Sequence, residues 1–300
     1  MALTIEPVGA DFVAVVRGVD LAQPLDEASF ARIDAAFNRY AVLVFPGQDL
    51  GEDQQVAFSE RWGPLEVSIR RHRDRHLRRP DVSDISNVDG RGRIVTADSE
   101  QALYNAGNQL WHSDSSFKPV PALASLLHAR EVPPAGGETE YADMRAAWDA
   151  LPEAERAGLE DLVAEHSLVH SRRLIGYDRF TPEEQAALPP VQQALVRVHP
   201  ATGRRSLYVG SHASHVVGWP LEEGRRLLQR LLEHATQPAF VYQHRWRVGD
   251  LVMWDNRCTN HRGRPWDPAH RRVMHRTTVA GRGPTAAGGR PIRDEALAAR

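Results

Sequence analysis

The chain predicts a mainly β fold, two sheets in a sandwich or jelly roll with helices outside. Three observations lead there. Short β-branched or apolar runs recur from end to end, most of them bounded by Gly or Pro. Only a few segments carry a three-to-four residue period. No internal repeat or linker divides the 300 residues, and 42% hydrophobic content suffices for one sizeable core, so residues 1–300 are expected to form a single domain.

Taken in order, Leu3 to Ile5 and Phe12 to Val16 read as strands. Leu25 opens a helix whose stripe is Phe30, Ile33, Phe37 and Tyr40. Ala41 to Phe45 is a buried strand stopped by Pro46 and Gly47. A second helix, about Asp53 to Trp62, stops at Gly63 and Pro64. Arg70 to Arg79 is strongly basic, either a solvated surface loop or a cover over a pocket for an anion. A strand bearing His112 precedes another at Ala122 to His128, and Pro133 to Gly137 turns the chain into a strand at Thr139. Met144 to Glu165 reads as helical, split at Pro152. Residues 167–191 lack periodicity and carry three prolines, which suggests an insertion or lid. Leu195 to His199 and Ser206 to Val209 flank Thr202 and Gly203 as a hairpin. Leu221 to His234 is amphipathic about Leu227, Leu228, Leu231 and Leu232. Phe240 to Trp246, Leu251 to Trp254 and Arg272 to Val279 read as closing strands, and residues 282–300 as a frayed tail.

A formal net charge of −2 disfavours a nucleic-acid partner. One cysteine, Cys258, permits no intrachain disulfide. No signal peptide and no run of about 18 apolar residues is visible, so a soluble cytoplasmic protein is expected and no membrane partner. Self-association stays open. Fourteen histidines direct attention to a metal.

His112 and Asp114 stand two apart among aromatic and polar residues, so on a strand both would project from one face. His261, beyond Trp254-Asp-Asn-Arg257, supplies a second imidazole. Two histidines and a carboxylate leave three sites of an octahedron open, the pattern of non-haem Fe(II) oxygenases. Arg272 and Arg276 share a strand face, where two guanidiniums would be costly without anions. Buried acids could satisfy them, or a bound carboxylate. Two other classes compete: a cupin-like metal-binding module, which would leave the arginines structural, and a zinc hydrolase, for which no HExxH motif or general base is visible.

These motifs, in this order, make the chain resemble the Fe(II)/2-oxoglutarate-dependent dioxygenases of the taurine/2,4-dichlorophenoxyacetate dioxygenase family, from about Leu3 to Gly281. The resemblance implies a double-stranded β-helix (jelly roll, cupin-like). It implies that His112, Asp114 and His261 bind Fe(II) and that Thr139 and Arg272 hold the distal carboxylate of 2-oxoglutarate, with O₂ as the other co-substrate. Asn108 and Arg276 fall where the family has further contacts to co-substrate or substrate. Related halogenases lack the carboxylate, so Asp114 implies hydroxylation.

Within the family, Asn108 to Phe117, Asp143 to Ala147, His212 to His215 and Met253 to Cys258 are most similar to the phenoxyacetate branch. That implies a small anionic substrate, hydroxylated at the carbon beside an aryl ether oxygen, with loss of a phenol and glyoxylate or a related 2-oxo acid. A taurine, alkylsulfonate or alkyl sulfate dioxygenase is the alternative. Candidates to hold the substrate's acid are Arg276, Ser115, His212, His199, Arg93, Arg70 and Arg71.

Overall fold

The computed structural model describes residues 2–9, 11–67 and 77–292. Seven strands form the main sheet, in the order Thr4–Val8, Val13–Arg17, Val42–Phe45, Leu251–Asp255, Ala124–Glu131, Val273–Val279 and Val82–Asp84. All neighbours are antiparallel except Val13–Arg17 beside Val42–Phe45.

Alternation along these strands builds two apolar layers. Leu43, Phe45, Leu126, Leu251 and Met253 point outward to a cluster that includes Ile33, Ala36, Phe37 and Tyr40 of the helix Glu27–Tyr40. Asp26 caps that helix by accepting from the Ser29 amide, and Ala41, at φ 64°, ends it. Val42, Val44, Leu127, Ala129, Val252 and Trp254 point inward, to a cluster shared with Tyr141 and Trp246. Tyr141 belongs to the second sheet, Val241–His244, Thr139–Asp143 and Thr259–Gly263. Two facing sheets with helices outside are the predicted double-stranded β-helix, and the candidate site lies between them.

Two sequence expectations require correction, the helical reading over 144–165 and the frayed tail. The helical reading over 144–165 yields helices only at Met144–Asp149 and Glu153–Leu159; Val163–His166 is a strand between Ala213–Val216 and Val191–Ala194. Four residues are too few for a helical period to be told from an apolar strand, and the partners that decide it are distant in sequence. Residues 167–191 contain the helices Leu168–Arg173 and Pro182–Ala187, the first with Leu168, Ser171 and Arg172 buried. The tail is docked as far as the description runs. Ala286–Ala287 pairs with Arg290–Pro291, and the Thr285 hydroxyl, buried, receives the Ala194 amide at 3.0 Å.

The hairpin about Gly203 forms, Val196–Val198 against Arg205–Leu207. Leu228 and Leu231 are buried in the helix Leu221–Ala235, with Leu227 and Leu232 half-buried beside them. No helix among the described residues is long and apolar enough to cross a membrane.

Candidate active site

His112 lies in no regular strand. It forms a single antiparallel bridge to His261, each amide donating to the other's carbonyl at 3.0 and 2.8 Å, and Asp114 follows in a turn. The strand Thr259–Gly263 thus presents His261 beside His112, with ring centroids 4.2 Å apart. His112 Nε2 stands 3.8 Å from Asp114 Oδ1, and His261 Nε2 stands 3.7 Å from Asp114 Oδ2. One donor atom from each of the three lies within 4.8 Å of the other two, and all three residues are buried. Nitrogen, nitrogen and oxygen donors converging so closely suit a first-row divalent ion.

The surroundings orient these donors. His112 Nδ1 sits 2.7 Å from the Leu110 carbonyl, so Nδ1–H donates and Nε2 keeps its lone pair for the centre. The Ser125 hydroxyl donates to Asp114 Oδ2 at 2.7 Å. Asn256 ties the loop together: its side-chain oxygen receives the Asp114 amide and the Trp254 indole, its amide group donates to Ser125 Oγ, and its carbonyl receives the Ser113 hydroxyl. Arg276 donates to Asp114 Oδ1 at 2.6 Å. Burial resists ionisation of Asp114, but the Arg276 guanidinium, with the Ser125 hydroxyl, outweighs it and holds the carboxyl well below its usual range. Burial and the neighbouring positive charge keep His112 and His261 from protonating, the state a ligating imidazole needs.

Two cavities meet at this cluster. The larger, about 320 Å³, is lined by His112, His261, Thr139, Trp266, Arg272 and Arg276. Thr139 Oγ1 receives the Trp246 indole at 3.0 Å. Arg272 is buried with no carboxylate partner among the described residues; its Nε donates to the Gly137 carbonyl at 3.2 Å, and its guanidinium lies 5.2 Å from the Trp266 ring centroid. Burial lowers its pKa to about 10. A Cβ at Gly137, whose φ is 71°, would come within 3.2 Å of Arg272 Cδ. The second cavity, about 90 Å³, is lined by Asp114, Ser115, Phe117, Leu168, Arg172 and His212 among others. Asn108, His112 and Arg276 line both.

Of the residues expected to hold a substrate acid, Arg276, His212 and Ser115 reach the second cavity. His212 Nδ1 lies 3.0 Å from Ser116 Oγ, and its ring centroid is 5.7 Å from that of His112. Burial, with His112 and Arg172 nearby, pushes its pKa well down, so it offers a neutral hydrogen-bonding ring and no cation. The Ser115 hydroxyl donates to Glu66 at 2.7 Å.

His199 and Arg93 line neither cavity. His199 Nε2 is 2.9 Å from Asp255 Oδ2, a carboxylate also held by Arg257. Arg93 is exposed and forks onto Asp89 at 3.0 and 2.8 Å. Each has a partner elsewhere, which is why neither turns toward the triad. Arg70 and Arg71 lie outside the described residues. Arg78 and Arg79, at the end of the same basic run, pair with Asp53 and Asp81.

Sequence reasoning missed Asn256 and Arg172. For Asn256 a signal existed, its place in the Trp254-Asp-Asn-Arg segment. For Arg172, in a stretch without periodicity, there was none.

Residues 4–278 match the model of the taurine catabolism dioxygenase TauD, TfdA family. An alpha-ketoglutarate-dependent 2,4-dichlorophenoxyacetate dioxygenase of Cupriavidus pinatubonensis is 47% identical over 93% of this chain and 98% of that one. An (S)-phenoxypropionate/alpha-ketoglutarate-dioxygenase of Sphingobium herbicidovorans is 41% identical over 93% and 96%. The crystal structure of AAD-2 in complex with Mn(II) and N-oxalylglycine superposes with a TM-score of 0.89 at 47% identity, covering 96% of this chain and all of that one. With buried His, Asp and His donors converging beside an unpaired arginine, and matches of this extent, the chain belongs to the TauD/TfdA family of Fe(II)- and 2-oxoglutarate-dependent dioxygenases.

Proposed function

We propose that this enzyme hydroxylates an aryloxyalkanoate at the carbon beside the ether oxygen. Phenoxyacetate would give a hemiacetal that collapses to phenol and glyoxylate, as 2-oxoglutarate and O₂ become succinate and CO₂. The observation that carries the proposal is the pair of cavities meeting at His112 and Arg276, one fit for a dicarboxylate and the other walled by Phe117, Leu168 and Ile85. The 2,4-dichlorophenoxyacetate and phenoxypropionate dioxygenases named above support the aryloxy class over sulfonates.

In this reading His112, Asp114 and His261 hold Fe(II), which with 2-oxoglutarate and O₂ supplies the oxidant for C–H hydroxylation. Arg272 receives the distal carboxylate of 2-oxoglutarate, and the buried Thr139 hydroxyl donates to it while accepting from Trp246. Asn108 and Arg276, facing both cavities, contact co-substrate and substrate where the two meet. Arg276 also keeps Asp114 ionised and in place. His212, neutral and braced by Ser116, aligns the substrate by a hydrogen bond. Pockets for drug-sized ligands run to about 300 Å³ or more. At about 90 Å³ the second cavity is smaller, and it shares Asn108, His112 and Arg276 with the larger one.

The test compares phenol release from phenoxyacetate with sulfite release from taurine and sulfate release from an alkyl sulfate, with Fe(II) and 2-oxoglutarate saturating. Phenol release with the highest kcat/KM is expected; preference for either sulfur compound would reject the aryloxy reading.

A further inference from the structure

One more buried cation faces the triad without an anion. Arg172, on the helix Leu168–Arg173, keeps only 6% of its surface exposed and lines the second cavity with His112, Asp114, His212 and Arg276. No carboxylate among the described residues pairs with it. Its Nε has no hydrogen-bond partner there, and its Nη1 reaches only Ser171 Oγ at the outer limit of 3.5 Å. The guanidinium lies 4.5 Å from the Tyr104 ring centroid, which fixes its plane without neutralising it. The other two cations on the cavity wall are already engaged, Arg276 with Asp114 and Lys118 with Glu66, both at 2.6 Å.

The chain also makes room for this side chain. A Cβ at Gly107 would fall 2.3 Å from Arg172 Nη1 and 2.6 Å from Cζ, so any other residue there must displace the guanidinium. An unpaired buried arginine is a cost to the folded protein, and an anion arriving from solution removes it. A planar fork of donors matches a carboxylate in a way that a lysine or a neutral histidine cannot.

We propose that Arg172 is the anchor for the substrate's carboxylate, held in register by the missing side chain at Gly107. This rests on the reading of the substrate as an aryloxy acid. Among the described cations on that wall, Arg276 and Lys118 already hold carboxylates, and Arg172 is the one whose fork has none.

The experiment measures binding to the Fe(II)–2-oxoglutarate form without O₂, by calorimetry, for phenoxyacetate and for uncharged 2-phenoxyethanol. Arg172→Gln is expected to weaken phenoxyacetate by roughly tenfold to a hundredfold, the worth of hydrogen bonds to a charged group, with 2-phenoxyethanol and 2-oxoglutarate binding unchanged. Gly107→Ala, which displaces the fork and keeps the charge, should show the same selective loss, and it decides the matter if Arg172→Gln does not fold. Unchanged phenoxyacetate binding in either folded variant would overturn the proposal. Equal losses for the acid, the alcohol and 2-oxoglutarate would also overturn it, because that marks a structural role. If the wild-type protein itself binds the acid no better than the alcohol, the aryloxy-acid reading fails first and takes this assignment with it.

Discussion

Arg272→Met should move stability and co-substrate affinity in opposite directions. In the free protein the Arg272 guanidinium is buried, with one hydrogen bond to Gly137 and no carboxylate among the described residues. Burial lowers its pKa from 12.5 to about 10, and that fall corresponds to about 3 kcal/mol of unfavourable solvation, an order-of-magnitude figure. Methionine fills similar space without the charge, so the metal-free, ligand-free variant should unfold at the same or a higher temperature, by as much as about 1–3 kcal/mol in stability. With 2-oxoglutarate present the comparison reverses. Removing one partner of a buried charge pair costs about 2–5 kcal/mol, which is roughly a thirtyfold to several-thousandfold loss of affinity. Calorimetric titration of 2-oxoglutarate into the Mn(II)-loaded protein reads the affinity, and thermal unfolding of the free protein reads the stability. A variant that binds 2-oxoglutarate like the wild type, or one that loses several kcal/mol of stability in the free form, would refute the assignment of Arg272 as the co-substrate anchor.

Other expectations follow from the same geometry. Asp114→Ala and His112→Ala should each abolish turnover while circular dichroism stays native; retained turnover in either would remove that residue from the metal site. Asn256→Ala should lower metal affinity by about 10- to 100-fold, because it releases the Asp114 loop and Ser125 together, and metal titration checks it. His128, buried with its Nε2 on the Gln48 carbonyl, has its pKa lowered to about 4 by burial and then by Arg130. Because the folded value lies below the unfolded 6.5, the contribution is complete above pH 6.5 and is lost as pH falls toward 4, about 3 kcal/mol in all. Melting temperature against pH should therefore fall over that window, and His128→Gln should flatten the fall; parallel curves would contradict it.

Much of the site was legible because its chemistry is concentrated in residues that are expensive anywhere else. His112, Asp114, His261, Thr139 and Arg272 stand in short polar motifs between apolar runs, and the continuous apolar runs Val42 to Phe45 and Leu251 to Trp254 announce two neighbouring strands of the main sheet. Three things resisted. His112 and Asp114 were read on a strand, whereas a single bridge to His261 and a turn bring them together, and a bridge has no local pattern. His199 looked available because its partner Asp255 is distant in sequence. Arg172 was hidden in 167–191, where the single turn-and-a-half of helix around it is too short for amphipathic periodicity and its neighbour Gly107 belongs to another segment.

The most direct test is the stoichiometry of a single anaerobic mixture of protein, Fe(II), 2-oxoglutarate and phenoxyacetate on admission of O₂. Equal amounts of succinate, phenol and glyoxylate, all vanishing when Fe(II) or 2-oxoglutarate is withheld, are the predicted result. Succinate formed without phenol, or phenol formed without 2-oxoglutarate, would contradict it.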